Sequence, residues 1–267
     1  MKKLYFDQNV IIDLQNERKP NFVECVSKID RSKYEIVFSP AHIEEIAALV
    51  MHHGQSQETV NHKLDFLATL TQSTALLPFK RNDTYQIEEN GIFISKESPK
   101  KTYDRVVAFY KNNKIAEEHQ KEKIANGEAL ERTFGVSSKE ANNTDIQKEI
   151  DSFKPRLHQI ILENFDSKIA PKCHEINFKY LRKIFPLHEI AIEKIFEFLE
   201  ARRYFPDKST QFLSGLHDTT HAIYSAYCDV FVTNDNKLNK KSFAAFSWLG
   251  INTLILNPDE FVGYISK

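Results

Sequence analysis

Cysteine is scarce in this chain: Cys25, Cys173 and Cys228 are far apart, odd in number and in no CxxC pair. That usage argues against a disulfide framework or a zinc knuckle and is expected of free thiols in a reducing cytosol. Net charge is nearly absent, at -1 from 36 basic and 37 acidic residues. The molecule as a whole therefore does not attract nucleic acid, and any such contact has to use local patches. Long apolar runs are missing too, and none approaches the length that spans a bilayer. The opening "MKKLYFDQNV" resembles a signal n-region for three residues, after which Asp7 and Gln8 interrupt any apolar segment. Neither export nor a membrane is expected, and the expected location is cytoplasmic. There is no internal repeat.

What the chain does have is 41% hydrophobic residues over a length of 267, enough for a sizeable core. Lys3 to Phe6 reads as a strand and "NVIIDLQNE" as a helix. "YEIVFS" (34–39) is a second strand, and "PAHIEEIAALVMHH" follows it as a helix with Pro40 in its first turn. "QETVNHKLDFLATLTQ" is a further amphipathic helix, and "TALLPF" a third strand. The order βαβααβ predicts a parallel, helix-covered sheet. Asn90-Gly91 between short β-prone runs in "TYQIEENGIFISKES" predicts a hairpin. From Ser98 to Phe205 the chain is highly charged and mainly helical, ending in the amphipathic "FPLHEIAIEKIFEFLEARRYF". After Pro206 the alternation resumes, with a helix over 216–227, a strand over 230–233, a helix through Trp248 and "NTLILNP" as the last strand. The expected organisation is one α/β domain (1–80 plus 206–267) interrupted by a helical insertion (81–205) with a short hairpin near its start.

Four carboxylates fall at comparable places in this reading. Asp7 ends the first strand, Glu45 lies early in the helix after the second, Asp218 begins the helix before the fourth, and Asp235 ends that strand. Strand ends and adjacent helix starts meet along one edge of a doubly wound sheet. At about 4 Å each like-charged pair costs on the order of 4 kcal/mol at an effective dielectric of 20. A divalent cation would neutralise such a cluster, and oxygen-only ligands favour Mg²⁺ or Mn²⁺ over zinc. The chemistry that uses such a site is phosphodiester cleavage. Each acid also has a plainer reading: Asp7 and Asp218 as helix caps, Glu44 and Glu45 as a solvated face, Asp235 as a turn residue.

"LYFDQNVIIDL" resembles the opening of PIN-domain nucleases, and "FSPAHIEEIAAL" looks like their second strand and acidic helix. "LHDTTHAIYSAYCDVFVTNDNKL" is similar to their C-terminal block, an Asp-led helix and then a strand ending in T-x-D. The resemblance covers roughly the first 80 residues and those after Pro206. It implies a three-layer, parallel-sheet α/β fold and a Mg²⁺- or Mn²⁺-dependent ribonuclease with Asp7, Glu45, Asp218 and Asp235 as metal ligands. Glu45 is chosen over Glu44 because family helices set the acid before an aliphatic residue. Asn9 matches the D-x-N asparagine and Thr233 the threonine of T-x-D, both orienting acids or a metal-bound water. The partners it implies are an RNA substrate and, for toxin- or defence-related use, an antitoxin-like inhibitor. The insertion departs from the compact family pattern and is expected to act as a lid or a homo-oligomer surface.

Other readings compete. "HDTTH" sets His217 and His221 at zinc-protease spacing, but no later histidine supplies a third ligand. Packing or hydrogen bonding beside the acidic edge is the plainer role for both. A catalytically silent PIN-like scaffold binding RNA or protein is the alternative in a different class. Lys237, Lys240 and Lys241 follow Asp235 and either form a solvated helix start or hold substrate phosphates. Tyr103, Phe109, Tyr110 and Lys111 suit core positions better than base contacts.

Overall fold

A computed structural model describes residues 1–51, 54–79, 91–110, 142, 145–207 and 212–267, the side chains of 51, 108–110 and 212–214 excepted. The strands are β1 (Lys2–Phe6), β2 (Tyr34–Val37), β3 (Thr74–Pro78), β4 (Ile92–Lys96), β5 (Val230–Val232) and β6 (Leu254–Leu256). The helices are α1 (Gln8–Gln15), α2 (Pro20–Ser27), α3 (Pro40–Met51), α4 (Gln57–Thr71), α5 (Pro99–Tyr110) and α6 (Ile146–Asn164). They continue with α7 (Phe178–Leu181), α8 (Phe185–Ala201), α9 (Phe212–Ser225), α10 (Asn236–Leu249) and α11 (Pro258–Ile265).

The mixed α/β expectation holds at this level: β2, β1, β5 and β6 form, in that order, a parallel four-stranded sheet. Leu4–Phe6, Ile36–Val37 and β5 read as apolar runs because both faces are covered there, while the edge strand β6 keeps Leu254 exposed. Successive side chains point to opposite faces. Leu4, Phe6, Ile36, Val230 and Val232 enter one core with Val10 and Ile11 of α1, Phe22 of α2, Ile43 of α3 and Leu64 of α4. Tyr5, Val37 and Phe231 enter the other, with Leu157 of α6, Ile192 and Ile195 of α8, Ala222 of α9 and Phe246 of α10. Helices α6 and α8, from the segment read as an insertion, thus supply part of one core.

The third strand differs from the simple parallel order. Strand β3 meets the sheet through one parallel bridge, Phe38 to Ala75. The Phe38 N–H donates to the Thr74 carbonyl at 3.0 Å, and the Leu76 N–H to the Phe38 carbonyl at 2.7 Å. Its full ladder is antiparallel, with β4. The reason is length: β2 ends at Val37, so only Phe38 beyond it reaches β3. Asn90 and the first arm of the expected hairpin lie outside the described residues.

The chain runs from β1 to β2 on one side of the sheet and from β5 to β6 on the other. The gap between the carboxyl ends of β1 and β5 is therefore a topological switch point, where open α/β sheets hold ligands. Among the described residues no helix is long and apolar enough to cross a membrane.

Candidate functional site

Asp7 and Asp235 leave the two strands that flank the switch point. Phe6 pairs with Val232, and the Asp7 N–H donates to the Val232 carbonyl at 3.0 Å. Asp7 caps α1, its Oδ1 accepting the Val10 N–H at 2.7 Å. Its Oδ2 accepts the hydroxyl of Thr233. The Thr233 oxygen accepts the Asp235 N–H at 3.0 Å, so one hydroxyl ties both acids together. Asp235 caps α10, with Oδ1 accepting the N–H groups of Lys237 at 2.7 Å and Leu238 at 2.9 Å. The plainer readings are thus present, but capping takes only Oδ1 of each aspartate.

Glu45 and Asp218 come from helices. Glu45 sits on the second turn of α3 and lies 3.1 Å from His221 Nε2. Asp218 does not begin its helix as expected, because α9 starts at Phe212, two turns of small and apolar residues earlier. A capping role for it is thereby removed.

The electrostatics tie the four acids together. Burial lifts the Asp7 carboxyl from 3.8 to about 7, against the pull of its Thr233 and Val10 hydrogen bonds, and the charges of Glu45 and Asp235 add to the rise. Asp218 is raised well above the usual carboxylate range, first by burial and then by Asp235, Asp207 and Glu45, while Lys241 opposes. Burial also raises Glu45, with the imidazoles of His217 and His42 opposing. Burial sets all three directions, and neighbouring like charges add to it at Asp7 and Asp218. Glu45, not Glu44, is the glutamate that bears on both Asp7 and Asp218.

Two further carboxylates, Asp207 and Glu200, escaped sequence reasoning. Asp207 Oδ2 and Glu200 Oε2 hold Lys241 Nζ at 2.8 and 2.9 Å, all three groups being nearly buried. Lys241 is therefore an internal counter-ion and not the phosphate-binding surface group offered as one reading. Lys237 Nζ lies 3.6 Å from Asp207 Oδ1, and Lys240 is exposed. Asn9 is exposed on the first turn of α1 and does not hydrogen-bond the acids. Tyr103 packs against the core, as expected, while Lys111 and the side chains of Phe109 and Tyr110 lie outside the described residues.

The donor chemistry of this edge is that of a hard divalent cation, all oxygen and mutually repelling. The arrangement of the oxygens is another matter: among the described residues, no group of three or more His, Cys, Asp or Glu side chains is set to hold a metal ion. Asp7 spends both carboxylate oxygens on protein donors, and Asp235 and Glu45 spend one each. The zinc reading of His217 and His221 meets a direct obstacle, since both His221 ring nitrogens are engaged, by Tyr5 and by Glu45. No family model matches the chain, and no curated protein and no solved structure matches it either.

Proposed function

We propose that the chain is a PIN-like ribonuclease that hydrolyses RNA phosphodiester bonds at its acidic edge with Mg²⁺ or Mn²⁺. The observation that supports this reading is the pairing of Asp7 and Asp235 through the Thr233 hydroxyl at the switch point, with the charge of Glu45 bearing on Asp7 and Asp218. Asp7, Asp218 and Asp235, with Glu45, would hold the cation, which when bound activates water and stabilises the leaving oxygen. The chain's own contribution is to fix those acids. Thr233 holds Asp7 and the backbone of Asp235, and the start of α10 fixes the Asp235 carboxylate. Exposed Lys240, in the second turn of the helix that Asp235 caps, would supply positive charge for substrate phosphates. The free thiols of Cys25, Cys173 and Cys228 suit a reducing, cytoplasmic setting.

The test is a panel of labelled RNAs and DNAs incubated with the protein in Mg²⁺, Mn²⁺ or EDTA, beside Asp218→Asn. Cleavage of RNA that needs the cation and is lost in the variant is expected. Cleavage that persists in EDTA, or none in either cation, contradicts the reading. The second of those outcomes favours a silent PIN-like scaffold that binds RNA or protein. One observation speaks for that alternative: the acids are not set as a metal-holding group among the described residues.

A further inference from the structure

One buried side-chain oxygen at the carboxyl edge has no hydrogen bond in the fold. Gln8 is 5% exposed, and its Oε1 is buried without a partner. Folded chains pair nearly all such oxygens, because leaving one unsatisfied is destabilising. Gln147 shows the ordinary outcome, its amide nitrogen donating to the Ala244 carbonyl at 3.1 Å. Capping does not need Gln8 either. The cap of α1 is Asp7, whose two oxygens accept from the Val10 N–H and the Thr233 hydroxyl, so the Gln8 amide is not what orients that acid.

Its place is the switch point. Gln8 is the first residue of α1 and follows Asp7 at the end of β1, which pairs with β5. The Cα–Cβ bonds of a helix tilt toward its N-terminus, so a side chain at this position leans back toward the strand ends. The same helix end keeps backbone donors that the cap leaves over. Asp7 takes the N–H of Val10, while among the described residues those of Gln8 and Asn9 meet no acceptor. The last torsion of a glutamine is broad and roughly two-fold, so either end of the amide can turn to a bound molecule.

The surroundings select the chemistry of that molecule. Asp7 and Asp235 flank the gap, which disfavours an anionic oxygen, and such an oxygen could not donate to Oε1 in any case. An amide offers an acceptor and two donors, and so suits a neutral group that both donates and accepts. In a nucleic acid the group of that kind beside the phosphodiester is the ribose 2′-hydroxyl. DNA lacks it, and it is what lets a protein tell RNA from DNA at a given site.

We propose that Gln8 is a specificity-determining residue whose side-chain amide hydrogen-bonds the ribose 2′-hydroxyl of an RNA strand lying across the carboxyl edge between β1 and β5. The inference rests on the reading of this edge as an RNA site and deepens it by naming what selects RNA over DNA. A site built to bond a hydroxyl rejects the analogue lacking it, because the site's own polar group is then left unpaired. That unpaired state is the one Gln8 Oε1 shows in the free protein.

The experiment compares the full chain with Gln8→Met and Gln8→Leu, which keep an apolar side chain of similar size and lose the amide. The probes are one labelled RNA strand and its 2′-deoxy counterpart carrying uracil, so that only the hydroxyl differs. The RNA-to-deoxy ratio is read from Kd by fluorescence anisotropy in EDTA and from kcat/KM in Mn²⁺, and stability from urea midpoints. The parent is expected to prefer RNA by about tenfold or more, and both variants to bring the ratio within about threefold through weaker handling of RNA. Their urea midpoints are expected to equal or exceed the parent's, since an unpaired buried acceptor is removed and no bond is lost. If one variant does not fold, the other carries the decision. A parental ratio near one, or a ratio unchanged in a folded variant, overturns the role of Gln8 while RNA cleavage still stands for the nuclease. Midpoints lowered by more than about 0.5 M in both variants, or failure of both to fold, show a structural amide and overturn it too. A parent that discriminates through Gln8 but cuts neither strand in Mn²⁺ removes the nuclease reading and leaves the contact to a silent RNA-binding scaffold. A parent that neither binds nor cuts RNA removes both.

Discussion

Replacing Asp7 by Asn should stabilise the protein in EDTA, and only above a defined pH. Asp7 is 2% exposed, and its carboxyl is carried from 3.8 to about 7. At about 1.4 kcal/mol per pH unit, ionising it in the folded chain costs roughly 4 kcal/mol relative to the unfolded chain. The sign follows from proton counts. Between those two values the folded state holds a proton that the unfolded state has lost, so parental stability falls as pH rises through this window and levels off above about 7. Asn has no such charge. It keeps the acceptor for the Val10 N–H but loses the charge-assisted bond from Thr233, a discount of about 1–2 kcal/mol. The net gain expected at pH 8 is therefore roughly 2 kcal/mol, shrinking toward zero at pH 4.5. Urea denaturation at both pH values reads it directly, and a slope near 3 kcal/mol/M makes the midpoint shift at pH 8 about 0.7 M. A variant less stable than the parent at pH 8, or a gap that is the same at both pH values, would refute the reasoning.

Asp235→Asn keeps the cap on α10, since Asn caps as well as Asp. Its stability in EDTA should stay within about 0.5 kcal/mol of the parent or exceed it, while RNA cleavage is strongly reduced. Cleavage at the parental rate would leave Asp235 as a cap and nothing more. Lys241→Met leaves the Glu200 and Asp207 carboxylates facing each other without their ammonium and should cost about 3–5 kcal/mol by urea denaturation at neutral pH. A loss below about 1 kcal/mol would show that the pair is not held as a buried ion cluster. Gly91→Ala tests the docking of β4, because a Cβ there would stand 2.8 Å from Phe185 Cα and against its backbone nitrogen. Backbone cannot swing aside as a side chain can, so a destabilisation of about 2–3 kcal/mol is expected in thermal or urea melts.

The strands of the sheet were legible because each carries a short apolar run beside polar turns, the pattern that burial of both faces leaves in Leu4–Phe6, Ile36–Val37 and Val230–Val232. Two helices were not. Helix α2 begins after Lys19, which caps with no side-chain bond and has a left-handed φ of 57°, so its start carries none of the usual cap residues. Helix α11 did announce itself, through Asn257, Pro258 and the capping-box glutamate Glu260, but "NP" reads equally well as the end of a strand. Asp7 and Asp235 were legible as strand-end residues, whereas Asp218 lies inside α9 and not at its start. Their surroundings were not, because they are made by tertiary contact: Tyr5 meets Ser39 and His221 across separations of 34 and 216 residues. Lys241 meets Glu200 and Asp207 across 41 and 34. Local spacing made Lys241 one of three surface lysines, whereas its partners make it an internal ion. The helices between residues 81 and 205 looked separable because their charge dominates the composition, yet the apolar faces of α6 and α8 enter the same core as Tyr5 and Phe231.

The most direct measurement of the central claim is anomalous diffraction from crystals of the protein soaked in Mn²⁺. The account predicts a Mn²⁺ peak at the carboxyl edge between β1 and β5, in contact with carboxylate oxygens of Asp7, Asp218 and Asp235, and absent from Asp218→Asn crystals. A Mn²⁺ peak elsewhere on the molecule, or none at this edge at a concentration that supports RNA cleavage, would contradict it.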